Sequence, residues 1–306
     1  MLETHRYPHA TWIRLINPSP EELAHVAETY SIDPEAVHDL SSPTPRQKIE
    51  TYNNSIYAVF HIPAYKHSHT KSHLQEIDFV IGKDHIITVQ YDTVDALQKF
   101  SKEAEAKTLI GKDDEKSATP GVIFVEVMQA LYESLTDEIL FMQDWLRNIE
   151  DQIFSGKEKQ MVAEISRVGR DLLDLRRTLG PQKIMFENLL LIATKAKNNA
   201  FRNHVKSIYE NGYMRIYDQT EHNIELVTEL RETNNSLVST SQKEVRKTLT
   251  IMAFITFPLT LITSIFGMNT ENMPITGNQY DFWIIFGFML FATICMFIFF
   301  KYKKWL

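Results

Sequence analysis

The sequence predicts an α+β multidomain membrane protein: an N-terminal α/β domain, a long helical stalk and two transmembrane helices at the C-terminus. Strand-like runs of β-branched and aromatic residues occur within residues 1–117. Residues 248–270 and 282–300 contain no charged side chain, and a helix needs about 20 apolar residues to cross the hydrocarbon core of a bilayer. A soluble part is therefore expected first along the chain, and a membrane-spanning part after it.

The charge of the chain limits the classes of partner. A chain of 306 residues with a formal charge of -7 lacks the basic balance that nucleic-acid-binding proteins normally have. We therefore expect cations as partners and no nucleic acid. A single cysteine, Cys295, excludes a disulfide framework. No constellation of nucleophile, base and orienting group is apparent in the sequence, so an enzyme is not expected.

Residues 1–117 are expected to form a mixed α/β domain. Helices are predicted to begin after the N-cap residues Ser19 and Asp33, because each is followed by proline and then by glutamate. Apolar runs bounded by turn residues predict strands at residues 56–62, 77–81 and 85–91. The N-terminus has no apolar run typical of a signal peptide, so this domain is expected in the cytoplasm.

Residues 118–212 are expected to be helical, because apolar residues recur there three and four positions apart. Gly156 and Gly180-Pro181 are the main breaks in this pattern. Helices are therefore predicted at residues 122–154, 158–179 and 182–198.

One long helix is predicted to begin at residue 213, because Gly212 is the last strong helix breaker before Pro258. Residues 213–248 would form a stalk of this helix, and residues 249–267 the first transmembrane helix. One stripe has heptad spacing with half of its positions polar: Ile216, Thr220, Asn223, Val227, Leu230, Asn234, Leu237 and Ser241. This spacing fits both a packed stalk with one polar face and a wet lining shared among subunits.

The charges that flank the membrane segments predict the orientation of the chain. Lys243, Arg246 and Lys247 precede the first segment, and lysines dominate the tail at residues 301–306. The connecting loop, residues 268–281, carries acidic charges only. By the positive-inside rule, both termini are expected to face the cytoplasm.

The two membrane segments differ in polarity. The first carries several hydroxyl groups, those of Thr250, Thr256, Thr260, Thr263 and Ser264. Hydrocarbon disfavours such groups unless they face protein or a water-filled path. The second segment, residues 282–300, is aromatic nearly throughout and suits contact with lipid. The first helix is therefore the candidate to line a pore.

The loop between the two helices carries a recognisable pattern. Phe266-Gly-Met-Asn269 is followed by Met273-Pro274 and preceded by Pro258-Leu-Thr260, and the chain ends in Lys303-Lys-Trp-Leu306. A Gly-Met-Asn tripeptide alone is weak evidence. Placed between two terminal membrane helices, the pattern closely resembles the CorA family of magnesium transporters. The resemblance is strongest over residues 230–306 and looser in the N-terminal domain.

This resemblance implies a homopentamer in the plasma (inner) membrane, in which five first helices line a pore. It also implies a cytoplasmic α/β funnel that is gated by Mg²⁺, with membrane lipid and divalent cations as partners. It places the selectivity loop at Gly267, Met268, Asn269 and Glu271, and the pore lining at Lys243, Arg246, Leu249, Phe257 and Thr260. No phosphate-binding G-x-x-x-x-G-K-[ST] motif is present in the sequence, so the membrane potential is the expected driving force.

The chemistry of the loop agrees with that resemblance. Mg²⁺ releases its waters reluctantly, so a selective mouth would bind the hydrated ion rather than strip it. A ring of Asn269 amide oxygens could accept hydrogen bonds from those waters, and Gly267 would allow a tight turn at the helix end. Glu271 would raise the local cation concentration.

Two positions in the predicted pore depart from the family pattern. Lys243 and Arg246 stand where the family usually has pore-facing Asn and Met. Five copies of each would oppose a dication, unless the side chains turn away to the headgroup region. A transporter of Zn²⁺, Co²⁺ or Ni²⁺ and a non-conducting membrane scaffold therefore remain alternatives to a Mg²⁺ channel.

The regulatory Mg²⁺ site that the family implies is also altered. Asp39 and Asp218 would remain as ligands, but His38 and Arg215 stand where the family has acidic residues. The site looks weakened, which predicts altered or absent gating by Mg²⁺.

Overall fold

The structure, a computed structural model, describes residues 1–52, 55–65, 72–110, 118–268 and 280–303. The chain divides into two units, Met1–Arg231 and Glu232–Leu306. The first contains a β-sheet and most of the helices, and the second contains the end of a long helix and the last helix.

The first unit is built on a six-stranded sheet with the order β1-β2-β6-β5-β4-β3. Its strands are β1 Leu2–Tyr7, β2 Ala10–Ile16, β3 Lys48–Tyr52, β4 Ser55–Tyr65, β5 Ser72–Ile81 and β6 His85–Gln90. Neighbouring strands are antiparallel except β2 and β6, which run parallel. The three predicted strands lie within or closely overlap β4, β5 and β6 and are confirmed.

The sequence patterns do not predict β1, β2 or β3. In the edge strand β1, exposed and half-buried residues alternate, so its apolar residues stand singly. In β2, the buried Arg14 interrupts the apolar run. β2 is stabilised instead by pairing with β6, which lies far away in sequence.

Helices cover both faces of the sheet. On one face, Leu15 of β2, Val59 of β4 and Val89 of β6 pack with α1 Pro20–Tyr30 and α2 Pro34–Asp39. Ser19 accepts a hydrogen bond from the backbone N–H of Glu22, and Asp33 accepts one from that of Glu35. Both predicted helix starts are therefore confirmed.

The other face packs against α3 Asp95–Ile110 and α4 Pro120–Gln152. The ring centroids of Phe79 in β5 and Phe124 in α4 are 5.1 Å apart. Phe60 of β4 lies 5.8 Å from Phe186 of α6 Gln182–Lys195. The sheet and the helices that follow it therefore share one hydrophobic core.

The helical part is interrupted near Gly156, as predicted, and also between α6 and the next helix, where no break was predicted. After α4, a π-helical turn at Ile153–Lys157 contains Gly156 with a φ of 85°, and α5 Glu158–Leu179 follows. The prediction of one helix over residues 182–198 is wrong at its end, because α6 stops at Lys195. Asn198 then accepts a hydrogen bond from the backbone N–H of Phe201 and starts α7 Asn199–Ile208.

Gly212 does not interrupt the helix as predicted. A π-helical turn at Tyr209–Tyr213 joins α7 to α8 Met214–Phe266, which continues through Pro258. A Cβ atom at position 212 would lie 2.7 Å from Cδ1 of Ile208 and 3.2 Å from the ring of Tyr132. Glycine therefore permits close packing of this turn against α4. With 53 residues, α8 is ~80 Å long, in agreement with the predicted long helix.

Candidate functional site

The part of α8 after residue 248 and α9 Asp281–Tyr302 expose many large apolar side chains. In the most apolar stretch of the helix that ends at Phe266, 6% of the residues are buried, and in the most apolar stretch of α9 none is. Phe257 is 73% exposed and Phe282 is 69% exposed. A contiguous apolar surface of this size marks contact with lipid or with other chains. These two stretches are therefore not buried core helices of the chain.

α8 and α9 each have one face that is less exposed than the rest. Among the large apolar side chains of α8 after residue 248, the less exposed ones recur three and four positions apart, at Ile251, Ile255, Leu259, Ile262 and Phe266. The same spacing recurs on α9 at Ile285, Met289, Met296 and Phe300. The ring centroids of Phe254 and Phe300 are 6.5 Å apart. Phe254 lies about 60° around α8 from Ile251, so this ring pair marks the edge of the contact, and the burial pattern assigns the contact to the two less exposed faces.

The predicted pore-lining residues share the opposite face of α8. At about 100° per residue, Arg246, Phe257 and Thr260 fall within about 60° of one another. Lys243 and Leu249 lie about 60° to either side of Arg246. This arc is centred about 180° from the face that contacts α9, and all five side chains are exposed.

The threonine hydroxyl groups of the first membrane segment have hydrogen-bond partners within α8 itself. Thr250 donates to the carbonyl oxygen of Arg246 at 2.8 Å, and Thr260 donates to that of Thr256, also at 2.8 Å. Such bonds to the preceding turn satisfy the hydroxyl donor inside the helix. These threonines therefore do not by themselves require a water-filled path. The position of the exposed face is stronger evidence that α8 faces a pore.

The structure describes the start of the predicted selectivity loop. α8 ends at Phe266, and the backbone N–H groups of Gly267 and Met268 donate to the carbonyl oxygens of Thr263 at 2.9 Å and Ile265 at 3.3 Å. A Cβ atom at position 267 would lie 3.0 Å from the Thr263 oxygen, so glycine fits this helix end. Asn269 and Glu271 lie outside the described residues.

The predicted regulatory carboxylates have different surroundings. Asp39, at the end of α2, forms an ion pair with Lys48, which also bonds Glu50 at 3.0 Å. Burial tends to lower the pKa of Lys48, but these two carboxylates outweigh it and raise the pKa above its ordinary value. Asp218 is exposed on α8. Among the described residues, no group of three or more His, Cys, Asp or Glu side chains is arranged to hold a metal ion.

The polar stripe of α8 packs against its own chain over its first half. Thr220 and Asn223 are fully buried. A Cβ atom at Gly169 of α5 would lie 3.1 Å from Val227, and Arg176 of α5 lies 3.6 Å from Glu221. These contacts favour a packed stalk over a wet lining for this part of the stripe.

An N-terminal α/β unit followed by two exposed apolar helices defines a membrane protein with two candidate spans. A family described as "CorA-like Mg2+ transporter protein" matches residues 8–303. The chain therefore belongs to this family of divalent-metal transporters, and the predicted membership is confirmed.

Individual relatives match over nearly the whole chain. The cobalt/magnesium transport protein CorA of Thermotoga maritima is 23% identical, over 97% of this chain and 83% of that protein. The zinc transport protein ZntB of Yersinia enterocolitica is 21% identical, over 96% of this chain and 88% of that protein.

A solved structure supports the predicted architecture. The complete structure of the CorA magnesium transporter from Methanocaldococcus jannaschii matches with a TM-score of 0.82, over 97% of this chain and 92% of that chain. The two sequences are 17% identical, so this likeness shows the fold alone. The predicted α/β unit, long helices and two C-terminal apolar helices are confirmed.

Proposed function

We propose that this protein is a Mg²⁺ channel in which the exposed face of α8 lines the ion path. The observation that carries the proposal is that this face, with Arg246, Phe257 and Thr260, lies opposite the face that contacts α9. A helix whose outer side is covered by α9 can present its other side to identical helices around an axis. Five subunits, as the family resemblance implies, would then form a closed ring.

Selection takes place at the loop that begins with Gly267 and Met268. Asn269 amides hydrogen-bond the waters of the hydrated ion, and Glu271 concentrates cations at the mouth. The protein lies in the plasma (inner) membrane with both termini in the cytoplasm, in accordance with the basic residues that flank the two spans. A dication gains ~4.6 kcal/mol per 100 mV on entering a negative interior, which is twice the value for one charge.

The same architecture could serve another divalent metal, because the ZntB relative is named as a zinc transporter. Uptake into proteoliposomes at a fixed membrane potential tests the proposal, with Mg²⁺, Zn²⁺, Co²⁺ and Ni²⁺ compared in parallel. We expect potential-driven uptake of Mg²⁺ at the highest rate. Faster uptake of Zn²⁺ would identify a zinc transporter, and no uptake of any ion would leave a membrane scaffold.

The two faces of α8 are expected to differ in their access to water. In a Cys295→Ser background, Thr260→Cys should react with a cationic, membrane-impermeant thiosulfonate reagent, and the reaction should block uptake. Ile262→Cys, on the face that contacts α9, is the matched control and should stay unreacted. The assignment of the pore face would be wrong if both cysteines reacted at the same rate.

Regulation by Mg²⁺ is expected to be weak, because Asp39 already forms an ion pair with Lys48. Millimolar Mg²⁺ should leave the proteolysis rate of the N-terminal unit unchanged in the wild type. Lys48→Gln frees Asp39, so this variant should gain some protection by Mg²⁺. Clear protection of the wild-type protein would contradict the prediction.

A further inference from the structure

The sheet face that packs against α1 and α2 buries two carboxyl groups of β5, those of Glu76 and Asp78. Asp78 is fully buried, and the side chain of Glu76 is 7% exposed. Two carboxylates that are buried close together cannot both ionise without a large cost. The partners of each group therefore decide which of the two carries the charge.

Glu76 is the ionised member of the pair. The backbone N–H of Thr44 lies 2.8 Å from its carboxylate, and the Thr44 hydroxyl lies 3.0 Å away. Nε2 of His61 is 3.4 Å from Oε2. Burial tends to raise the pKa of Glu76, but the hydrogen bonds from His61 and Thr44 outweigh it and hold the pKa below its ordinary value.

Asp78 is the neutral member. Its burial, and next the negative charge of Glu76, raise the pKa of Asp78 to about 8. The other titratable groups around the pair are Tyr57 and His61 of β4, Tyr91 and Asp92 after β6, Lys48 of β3 and Asp39 of α2. Lys48 bonds Asp39 and Glu50 and is not available to neutralise Asp78. From α1, the apolar side chains of Leu23 and Val26 pack here.

The hydroxyl group of Tyr91 connects Asp78 to the end of α2. Its oxygen lies 3.1 Å from Oδ2 of Asp78 and 3.2 Å from the carbonyl oxygen of Leu40. A phenol has one proton to donate. While Asp78 is neutral, its carboxyl proton bonds the ionised Glu76, and the Tyr91 hydroxyl donates to the carbonyl oxygen of Leu40. Once Asp78 is ionised, its charge attracts the Tyr91 proton, because hydrogen bonds to charged acceptors are stronger.

We propose that Asp78, Tyr91 and Glu76 form a proton-controlled latch on residues 40–44, the segment that leads from α2 towards β3. At neutral and lower pH, Tyr91 holds Leu40 at one end of the segment, and Glu76 holds Thr44 at the other. At alkaline pH, Tyr91 turns its proton to Asp78, and the two carboxylates repel each other. The bond from Tyr91 to Leu40 is then lost, and the segment loosens at that end. Any effect of the latch on ion flow rests on the proposed function.

Hydrogen exchange on the full chain in detergent tests the latch. Protection of the amides in residues 37–46, corrected for intrinsic exchange, should fall about three- to tenfold between about pH 6.5 and about pH 9.5. Asp78→Asn cannot ionise, and its amide still donates to Glu76, so Tyr91 stays bonded to Leu40 and this variant should keep high protection at both pH values. Tyr91→Phe should show low protection at both. The amides of α5 serve as an internal control and should not change.

Stability gives a second readout. The folded state binds the Asp78 proton more tightly than the unfolded chain does, because the pKa rises from 3.8 to about 8 on folding. The free energy of unfolding should therefore decrease as the pH rises towards about 8, and less so in Asp78→Asn.

Protection in the wild type that does not depend on pH, or an equal fall in Asp78→Asn, would overturn the latch. Ion uptake is measured separately on the same preparations. A latch without uptake would refute the proposed function and leave the latch intact.

Discussion

Asn269→Ala is expected to reduce Mg²⁺ uptake about fiftyfold or more. If each of five amides contributes ~0.5 kcal/mol to holding the hydrated ion, the ring contributes ~2.5 kcal/mol. Alanine removes all five acceptors at once while the helix end at Gly267 is retained. Initial rates in proteoliposomes at fixed potential measure the effect.

The matched control for this experiment is Asn278→Ala, which removes an amide from the same loop without touching the tripeptide. We expect uptake in that variant to stay within about twofold of the wild-type rate, because no proposed contact with the ion is removed. Undiminished uptake by Asn269→Ala would place ion selection elsewhere along α8.

The fold was predictable where local pattern and tertiary context agree. β4, β5 and β6 contain short runs rich in β-branched and aromatic residues, and Ser19 and Asp33 start helices through side-chain bonds to nearby backbone groups. β2 was not predicted because the buried Arg14 interrupts its apolar run. β1 was not predicted because, as an edge strand, it has only isolated apolar residues. Both strands depend on neighbours that local periodicity does not reveal.

Gly156 and Gly212 are glycines for two different reasons, backbone conformation and close packing. Gly156 takes a positive φ and turns the chain as predicted. Gly212 instead lies inside a π-helical turn, where a larger residue would collide with Ile208 and Tyr132. The sequence cannot distinguish these two uses, since the second depends on α4.

Part of the site was likewise visible in the sequence. Helical spacing alone places Arg246, Phe257 and Thr260 on one face, but the structure was needed to put α9 on the other. The ion pair of Asp39 with Lys48 and the link from Asp78 through Tyr91 to Leu40 join residues from separate elements. The position of Asp78 inside the apolar run of β5 was one sequence clue to the link through Tyr91.

Replacing Lys243 by Asn and Arg246 by Met together is expected to raise Mg²⁺ uptake about tenfold or more. Both side chains are exposed on the face of α8 that carries Phe257 and Thr260. In water, one positive charge ~10 Å from a dication costs ~0.8 kcal/mol. Five copies of both residues around one path therefore add up to a barrier of several kcal/mol, even after screening by salt.

Lys301→Asn is the matched control, because Lys301 is an exposed lysine on α9 rather than on α8. Its uptake rate should stay close to that of the wild type. Higher ionic strength should narrow the difference between the double variant and the wild type, since salt screens exposed charges. Equal uptake rates in the double variant and the wild type would mean that the side chains of Lys243 and Arg246 turn away from the pore to the lipid headgroups. The barrier would then lie at the Gly-Met-Asn mouth alone, and Asn269 would control both selection and rate.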